Sequence, residues 1–254
     1  MNIIVPVKLV PDLVEELSID SSGTALDTAW LRMIVNEFDD HAIEQAILIK
    51  EQTGAHVTIL SVNIEGIDDL LFTAAAKGAD RLLKLNGDFE SGVNNHALAR
   101  AISEISKDLQ PDLILTGVQA HNDLDGQIGP LLAGYMDMPY VGGISGLTVN
   151  DGQVIARKEY PGGLIAEMVV KLPAVLGIQA AEQPPRYVAV SKIRQMMKST
   201  VIEEQTLATL DLQGGPIISR MYQPEVSEHA MMVDGSIDEI SEKLIEIFKE
   251  AGVL

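Results

Sequence analysis

A glycine-rich stretch at residues 117–130 is the part of the sequence best suited to bind a ligand. It reads Gly-Val-Gln-Ala-His-Asn-Asp-Leu-Asp-Gly-Gln-Ile-Gly-Pro and follows an apolar run at 112–116. A helix is predicted at about 126–136, and free amides at its start could hold a phosphate. Glycines let the backbone approach a ligand closely, and they stand at positions 117, 126 and 129. The same pattern also fits a plain strand-to-helix turn with capping acids, and both interpretations stay open.

Motifs for covalent catalysis or metal binding are missing from the sequence. It contains no cysteine, no Gly-x-Ser-x-Gly elbow and no Gly-x-x-x-x-Gly-Lys phosphate loop. The histidines lack the His-x-x-x-His spacing of a metal site; they are His41, His56, His96, His121 and His229. We therefore predict no catalytic residue and no metal site.

The charge balance restricts the classes of partner. With 18 basic and 37 acidic side chains the net charge is −19, which repels nucleic acid and anionic membrane surfaces. A bound anion would therefore need local backbone donors and not a basic patch. No segment approaches the roughly 18 apolar residues of a membrane span, and the lack of cysteine fits a reducing compartment. We expect a cytoplasmic protein that neither binds nucleic acid nor inserts into a membrane.

Alternating strand and helix patterns occupy the first part of the chain and position the glycine-rich stretch. Apolar runs of strand length lie at 3–7, 57–62, 81–85 and 112–116. Helices between them are predicted at about 37–52, 67–77 and 94–109. Strands separated by helices indicate βαβ units and a parallel sheet covered on both faces. Ligands in such sheets bind at the carboxyl ends of the strands, which is where the glycine-rich stretch begins.

The pattern changes after Pro139. Short strands, predicted to be antiparallel or mixed, follow at 144–149, 153–159, 165–171 and 174–180, with a turn at Asn150-Asp151-Gly152. Regular periodicity fades from about 184 to 222, and a last helix begins at Ser236 with a capping box. We predict an α/β nucleotide-binding domain at 1–183, an extended arm with a recognition loop at 184–222, and a C-terminal segment with a helix at 223–254.

The predicted arm has two interpretations. A connection of this length is usually either a disordered linker or a functional segment. Its apolar content favours docking on a partner, since methionine side chains adapt to varied surfaces; the residues are Val188, Val190, Ile193, Met196 and Met197.

Seven short segments, in order, resemble the electron transfer flavoprotein beta-subunit family over nearly the whole chain. They are Val5-Pro6-Val7-Lys8-Leu9-Val10-Pro11-Asp12, Asn36-Glu37-Phe38-Asp39, Ala76-Lys77-Gly78-Ala79-Asp80-Arg81, Pro111-Asp112-Leu113-Ile114-Leu115-Thr116-Gly117-Val118-Gln119-Ala120, Gly162-Gly163, Lys171-Leu172-Pro173-Ala174-Val175 and Pro185-Arg186-Tyr187. No single segment is specific, but their common order makes coincidence improbable.

The resemblance implies a fold, cofactors and partners. The fold would be a parallel-sheet nucleotide-binding α/β fold akin to the adenine nucleotide alpha hydrolases, with additional strands and an extended C-terminal arm. The chain would hold AMP structurally and contact FAD carried mainly by an alpha subunit, without being an enzyme itself. Electrons would pass from an acyl-CoA dehydrogenase-type flavoenzyme of fatty acid oxidation to a quinone oxidoreductase. In bifurcating members a second FAD takes the AMP site; the spacing before Arg186 favours AMP here.

The resemblance also implies which residues bind. Carried over position by position, the nucleotide site would comprise Pro6, Asn36, Phe38, Asp39, Val62, Gly117, Gln119, Ala120, Asn122, Asp123, Gly126, Gln127 and Gly129. Docking on the dehydrogenase would use Val190, Ile193 and Met196. Glu37, Val118, Asn122 and Leu124 depart from the family's pattern, which affects side-chain contacts to the nucleotide more than backbone contacts to its phosphate.

Other classes of function stay open from the residues alone. A universal-stress-type protein would bind ATP through a glycine-rich loop as a compact homodimer. An adenylating enzyme on the same kind of fold would need a Ser-Gly-Gly-x-Asp loop, which the sequence lacks. The length of the chain and its arm favour the electron-carrier subunit over both.

Overall fold

A computed structural model of the chain describes residues 1–87, 89, 93–150, 152–207, 211, 213–224, 230 and 232–254. The strands are β1 (Asn2–Pro6), β2 (Leu9–Pro11), β3 (Met33–Val35), β4 (His56–Val62), β5 (Arg81–Asn86), β6 (Leu113–Gly117), β7 (Tyr140–Asn150), β8 (Gln153–Tyr160), β9 (Leu164–Lys171), β10 (Ala174–Ile178) and β11 (Ile202–Thr206). The helices are α1 (Glu37–Thr53), α2 (Ile67–Lys77), α3 (Asn95–Leu109), α4 (Ile128–Met136), α5 (Val190–Ser199) and α6 (Ile237–Glu250).

A large, mostly parallel sheet organises the described residues. Its strand order is β11-β5-β4-β1-β6-β10-β7-β8-β9, and β2 pairs separately with β3. All neighbours from β11 to β7 run parallel, whereas β8 and β9 are antiparallel additions to β7. The predicted α/β fold with a parallel sheet is therefore confirmed. The predicted mixed section after Pro139 is also present, because β10 inserts between β6 and β7.

The helices cover the sheet because each carries an apolar face. In α1 the residues Ala42, Ala46, Ile47 and Ile49 are buried and belong to a core with β1, β4 and β6. The acidic residues of its first turn and Lys50 in its last turn complement the helix dipole. On the other face of the sheet, α3 and α4 pack over a second core built around Ile4, Leu60 and Ile114. Burial on both faces explains why the central strands are continuously apolar.

The winding of the sheet reverses next to β1. This strand pairs with β4 on one side and with β6 on the other, and the chain reaches these two neighbours through helices on opposite faces. A crevice opens at such a switch point, outside the carboxyl ends of the strands. Here those ends are Pro6 and Gly117, and the glycine-rich stretch leaves the sheet beside them.

The segment after β10 contradicts the prediction that residues 184–222 lack regular structure. It contains α5, and it contains β11, which adds a parallel strand to the sheet edge beside β5. Periodicity missed β11 because the strand is polar: Arg81 forms an ion pair with Glu203 at 2.6 Å, and Lys84 forms one with Glu204 at 3.2 Å. Cross-strand charge pairs, and not an apolar face, hold this edge.

The beginning of the predicted arm is bound to α1. Backbone N–H groups of Ala181 and Glu182 donate to His41 and Gln45 at 3.2 and 3.1 Å. Arg186 donates from its backbone and its guanidinium to Glu44, whose side chain is only 3% exposed, at 2.8–3.0 Å. The chain therefore reaches α5 from a fixed starting point.

Residues fall into two compact units, Met1–Ser219 and Arg220–Leu254. In the second unit α6 starts with the predicted capping box, in which Ser236 and Glu239 exchange hydrogen bonds. The predicted divisions at 183 and 222 stay predictions, and Asp151 of the predicted turn and His229 lie outside the described residues. Within the described part of the chain, no helix has the length and apolarity required to span a bilayer.

Candidate functional site

A narrow cleft opens at the switch point of the sheet. Seven residues predicted for the nucleotide site line it: Pro6, Asn36, Asp39, Val62, Gly117, Gln119 and Asp123. They come from the carboxyl ends of β1, β4 and β6, the start of α1 and the loop after β6. The parallel sheet brings these separate segments to one edge, where the rest of the lining is Val7, Lys8, Ser61, Leu98, Ile102, Thr116 and Ile128.

Asp39 joins the two strands at the base of the cleft. Its carboxylate accepts hydrogen bonds from the backbone N–H of Lys8 at 3.0 Å and of Gly117 at 3.1 Å. Only a glycine fits beside it, because a Cβ on Gly117 would lie 2.8 Å from the Asp39 backbone nitrogen. Burial raises the pKa of Asp39 from 3.8 to about 6, although the positive charge of Lys8 and the N–H donors act in the opposite direction.

The loop after β6 is held by its own acidic side chain. Asp123 forms an ion pair with Lys8 at 2.5 Å and accepts the Ala120 N–H at 2.7 Å. Asn95, at the start of α3, donates to the Asp123 carboxylate at 2.8 Å and to the Gly126 carbonyl at 2.7 Å. These contacts shape the loop before any ligand binds, so the acidic groups here have local partners.

The N-terminus of α4 borders the cleft. Gln127 is its N-cap residue, and Ile128 lines the cleft. The first N–H groups of a helix lack partners within the helix, so they can donate to an anion. Gly126 enters this turn with a φ of 117°, a conformation that side-chain-bearing residues rarely adopt. Gly129 is buried in the first turn, where a Cβ would lie 2.7 Å from the Thr116 hydroxyl.

The structure does not gather every predicted site residue at the cleft. Phe38 is half-buried behind Gly117, and Ala120 is a buried loop residue that contacts Asp123 through its backbone. Asn122 is exposed on the loop and does not line the cleft. The assignment of the nucleotide site as a whole stays a prediction.

Sequence reasoning did not identify several residues that build the site. Lys8 was a detectable signal, because it is a lone basic residue directly after the first strand. Ser61 and Thr116 stand inside apolar strand segments, where hydroxyl groups attract no notice. Asn95 contacts the loop across 28 to 31 positions of sequence, so only the fold reveals its role.

The arrangement is suited to binding and not to covalent catalysis. The cleft combines apolar walls with backbone donors and one basic residue, Lys8, which suits a ligand with a planar apolar part and an anionic part. No group of three or more His, Cys, Asp or Glu side chains in the described ranges could hold a metal ion. The predicted docking residues lie elsewhere, on α5: Val190 is 56% exposed, Ile193 is half-buried, and Met196 packs partly against the core.

Known proteins similar to this chain agree in name. The electron transfer flavoprotein domain family matches residues 25–210. The electron transfer flavoprotein subunit beta of Methylophilus methylotrophus is 32% identical over 98% of both chains. The subunit of Bacillus subtilis is 28% identical over the full length of both. A mitochondrial subunit of Oryza sativa is 30% identical over 96% of this chain and 97% of its own. Because these matches span the sheet and the cleft together, the chain belongs to the electron transfer flavoprotein beta-subunit family.

Proposed function

We propose that this chain is the beta subunit of a heterodimeric electron transfer flavoprotein in the cytoplasm. It holds AMP in the switch-point cleft and contacts FAD carried mainly by an alpha subunit. Electrons pass from an acyl-CoA dehydrogenase-type flavoenzyme of fatty acid oxidation to a quinone oxidoreductase. The observation that carries the proposal is the cleft between Pro6 and Gly117, which borders the N-terminus of α4 and belongs to a chain of this family.

The residues of the cleft fit an adenine nucleotide. Apolar side chains of Val62, Leu98 and Ile102 provide a surface for a base. Amides at the start of α4 provide donors for a phosphate, favoured by the helix dipole by roughly 0.3–1 kcal/mol in an exposed site. The acidic groups of the cleft do not prevent this, because Asp123 is paired with Lys8 and Asp39 with two backbone N–H groups. Glycines at 117 and 129 keep the ends of the cleft free of side chains.

Redox chemistry in this proposal belongs to the flavin, which accepts and releases electrons when bound. The chain contributes shape, electrostatics and docking surfaces. The described residues support that division of labour, because they show a binding cleft but no nucleophile–base pair beside it. Within the cleft the Ser61 hydroxyl donates to the Val7 carbonyl at 2.7 Å, so it is a structural group.

Docking on the dehydrogenase is proposed for α5. Val190 begins this helix and is 56% exposed, whereas the half-buried Ile193 and Met196 support the helix against the protein body. We expect Val190→Asp to weaken electron transfer from the dehydrogenase by about 10-fold or more, in line with loss of a buried apolar anchor. Val201→Asp is the matched control, because Val201 is 78% exposed but lies outside α5. Equal effects of the two variants would contradict this docking site.

The test of the proposal is to co-express the chain with candidate alpha subunits, purify the complex and identify the released nucleotides by mass spectrometry. One FAD and one AMP per heterodimer is the expected result. Two FAD and no AMP would assign the cleft to a second flavin, as in bifurcating members. ATP on a homodimer without flavin would overturn the electron-transfer proposal in favour of a universal-stress-type protein.

A further inference from the structure

The hydroxyl of Thr116 is a buried polar group without a hydrogen bond. Thr116 is the penultimate residue of β6 and is only 2% exposed. Its Oγ1 atom has no hydrogen-bond partner among the described residues. Leaving a buried hydroxyl unpaired costs about 1–3 kcal/mol, so a buried hydroxyl in this state is rare and calls for an explanation.

Thr116 differs in this respect from the polar residues around it. It lines the same cleft as Asn36, Asp39 and Ser61. Asn36 donates to the Gln119 carbonyl at 3.0 Å, Asp39 accepts two backbone N–H groups, and Ser61 donates to the Val7 carbonyl. These three side chains are committed to holding the cleft together. The Thr116 hydroxyl is committed to nothing and is therefore available to a ligand.

The position of Gly129 leaves room beside this hydroxyl at the N-terminus of α4. A Cβ at position 129 would lie 2.7 Å from Thr116 Oγ1, closer than real Cβ atoms approach. The glycine thus keeps the hydroxyl adjacent to the backbone of the first helical turn. A hydroxyl donor and the unpaired N–H groups of that turn form one group of donors, which matches an anionic oxygen.

We propose that the Thr116 hydroxyl donates a hydrogen bond to a phosphate oxygen of the bound nucleotide, together with the N-terminus of α4. This rests on the proposed function, because it assumes a nucleotide in the switch-point cleft. It makes Thr116 a ligand-binding residue that recognises the anionic end of the ligand. The unpaired state of the hydroxyl is then the ligand-free state of a binding group.

Tyr140, at the start of β7, provides a matched control. Its hydroxyl is also buried and unpaired, and it lies 2.5 Å and 2.6 Å from where a Cβ on Gly142 and on Gly177 would stand. Tyr140 does not line the cleft. Removing its hydroxyl therefore removes a group of the same kind without removing a ligand contact.

The experiment compares AMP with adenosine, which lacks the phosphate, by titration calorimetry on the nucleotide-depleted heterodimer. We expect Thr116→Val to weaken AMP binding by about 10- to 100-fold, the range of a hydrogen bond to a charged group, and to leave adenosine binding unchanged. Thr116→Ser keeps the hydroxyl and retains most of the affinity, and Tyr140→Phe changes neither ligand. Thermal unfolding without nucleotide gives a second readout. There Thr116→Val is at least as stable as the wild type, because it replaces an unpaired hydroxyl by a methyl group.

Several outcomes would overturn the inference. Unchanged AMP affinity in Thr116→Val, or an equal loss for AMP and adenosine, would remove Thr116 from the phosphate site while the proposed function stands. Thr116→Ala lacks the same hydroxyl and decides the question if the valine variant does not fold. A wild-type heterodimer that binds no AMP would overturn the proposed function itself, and the inference with it.

Discussion

Replacing Asp39 by asparagine should change how the stability of the protein depends on pH. Burial raises the pKa of this carboxyl from 3.8 to about 6 in the folded state. The folded protein therefore binds this proton more tightly than the unfolded chain does. Stability that depends on Asp39 is greatest below pH 3.8 and is lost as the pH rises through 6. Asparagine has a similar shape and carries no titrating proton, so the variant lacks this loss.

The size of the effect follows from the pKa difference. A shift from 3.8 to about 6 corresponds to about 3 kcal/mol between the limits of low and high pH. The sequence pI of 4.5 makes the acid limit impractical, because proteins precipitate when their net charge is near zero. Between pH 5 and pH 7.5 the linkage relation gives about 1.4 kcal/mol for the same two pKa values. Relative to the wild type, Asp39→Asn should gain that amount over this interval.

Urea unfolding at a series of pH values measures this difference, because urea carries no charge and does not screen the electrostatics. Far-UV circular dichroism is the suitable signal, since the single tryptophan, Trp30, is 95% exposed and reports poorly on the core. Taking the difference between variant and wild type cancels the titration of the other acidic groups. A difference that stays constant from pH 5 to pH 7.5 would refute the conclusion that burial raises the pKa of Asp39.

Asp80 provides a control of opposite sign. Partial burial acts to raise the pKa of Asp80, but the hydrogen bonds from Lys50 and from the Val57 N–H outweigh it and hold the pKa below its ordinary value. A lowered pKa contributes stability above the unfolded-state value, and that stability is lost only as the pH falls towards the folded value. Asp80→Asn should therefore differ from the wild type by a constant amount over the same interval.

Three further substitutions test the backbone geometry of the cleft and the attachment of the arm. Gly126→Val should abolish AMP retention in mass spectrometry while circular dichroism stays native, because the φ of 117° disfavours a β-branched residue in the loop; unchanged affinity would contradict the loop's role. Gly117→Ala should lower the free energy of unfolding by about 1–3 kcal/mol through overpacking at the base of the cleft. Gly134→Ala should raise it by about 0.5–1 kcal/mol, since a Cβ there meets no atom within 4 Å and the position is helical; equal effects at the two glycines would refute the packing argument. Arg186→Ala should cost roughly 2–3 kcal/mol in urea unfolding, because Glu44 keeps a buried charge without its partner, and Glu44→Gln in the same background should recover part of the loss.

The order and type of most elements follow from local sequence pattern. The apolar runs that became β1, β4, β5 and β6 were visible because parallel strands buried on both faces contain few polar residues. The edge strand β11 was missed for the same reason, since its alternation is polar and its pairing depends on charges from β5. Sequence pattern reports burial well, and it reports strands stabilised by polar contacts poorly.

The candidate site divides in a similar way. The glycine-rich stretch and the start of a helix after it could be located from residue types, because positive φ values and free helix amides have local causes. That Asp39 bridges Lys8 and Gly117, and that Asn95 holds the loop, could not be located so, because these contacts join segments 28 to 78 positions apart.

The sequence by itself thus determined the α/β class, the family, and the loop most able to meet a phosphate. The tertiary structure decided which residues share the cleft, which of their polar groups are already paired, and which hydroxyl remains for a ligand. The physical reason is that hydrogen-bond satisfaction in a buried site depends on neighbours brought together by the sheet. Thr116 shows this most clearly: in the sequence it interrupts an apolar run, and in the structure it is a cleft-lining hydroxyl left without a hydrogen-bond partner among the described residues.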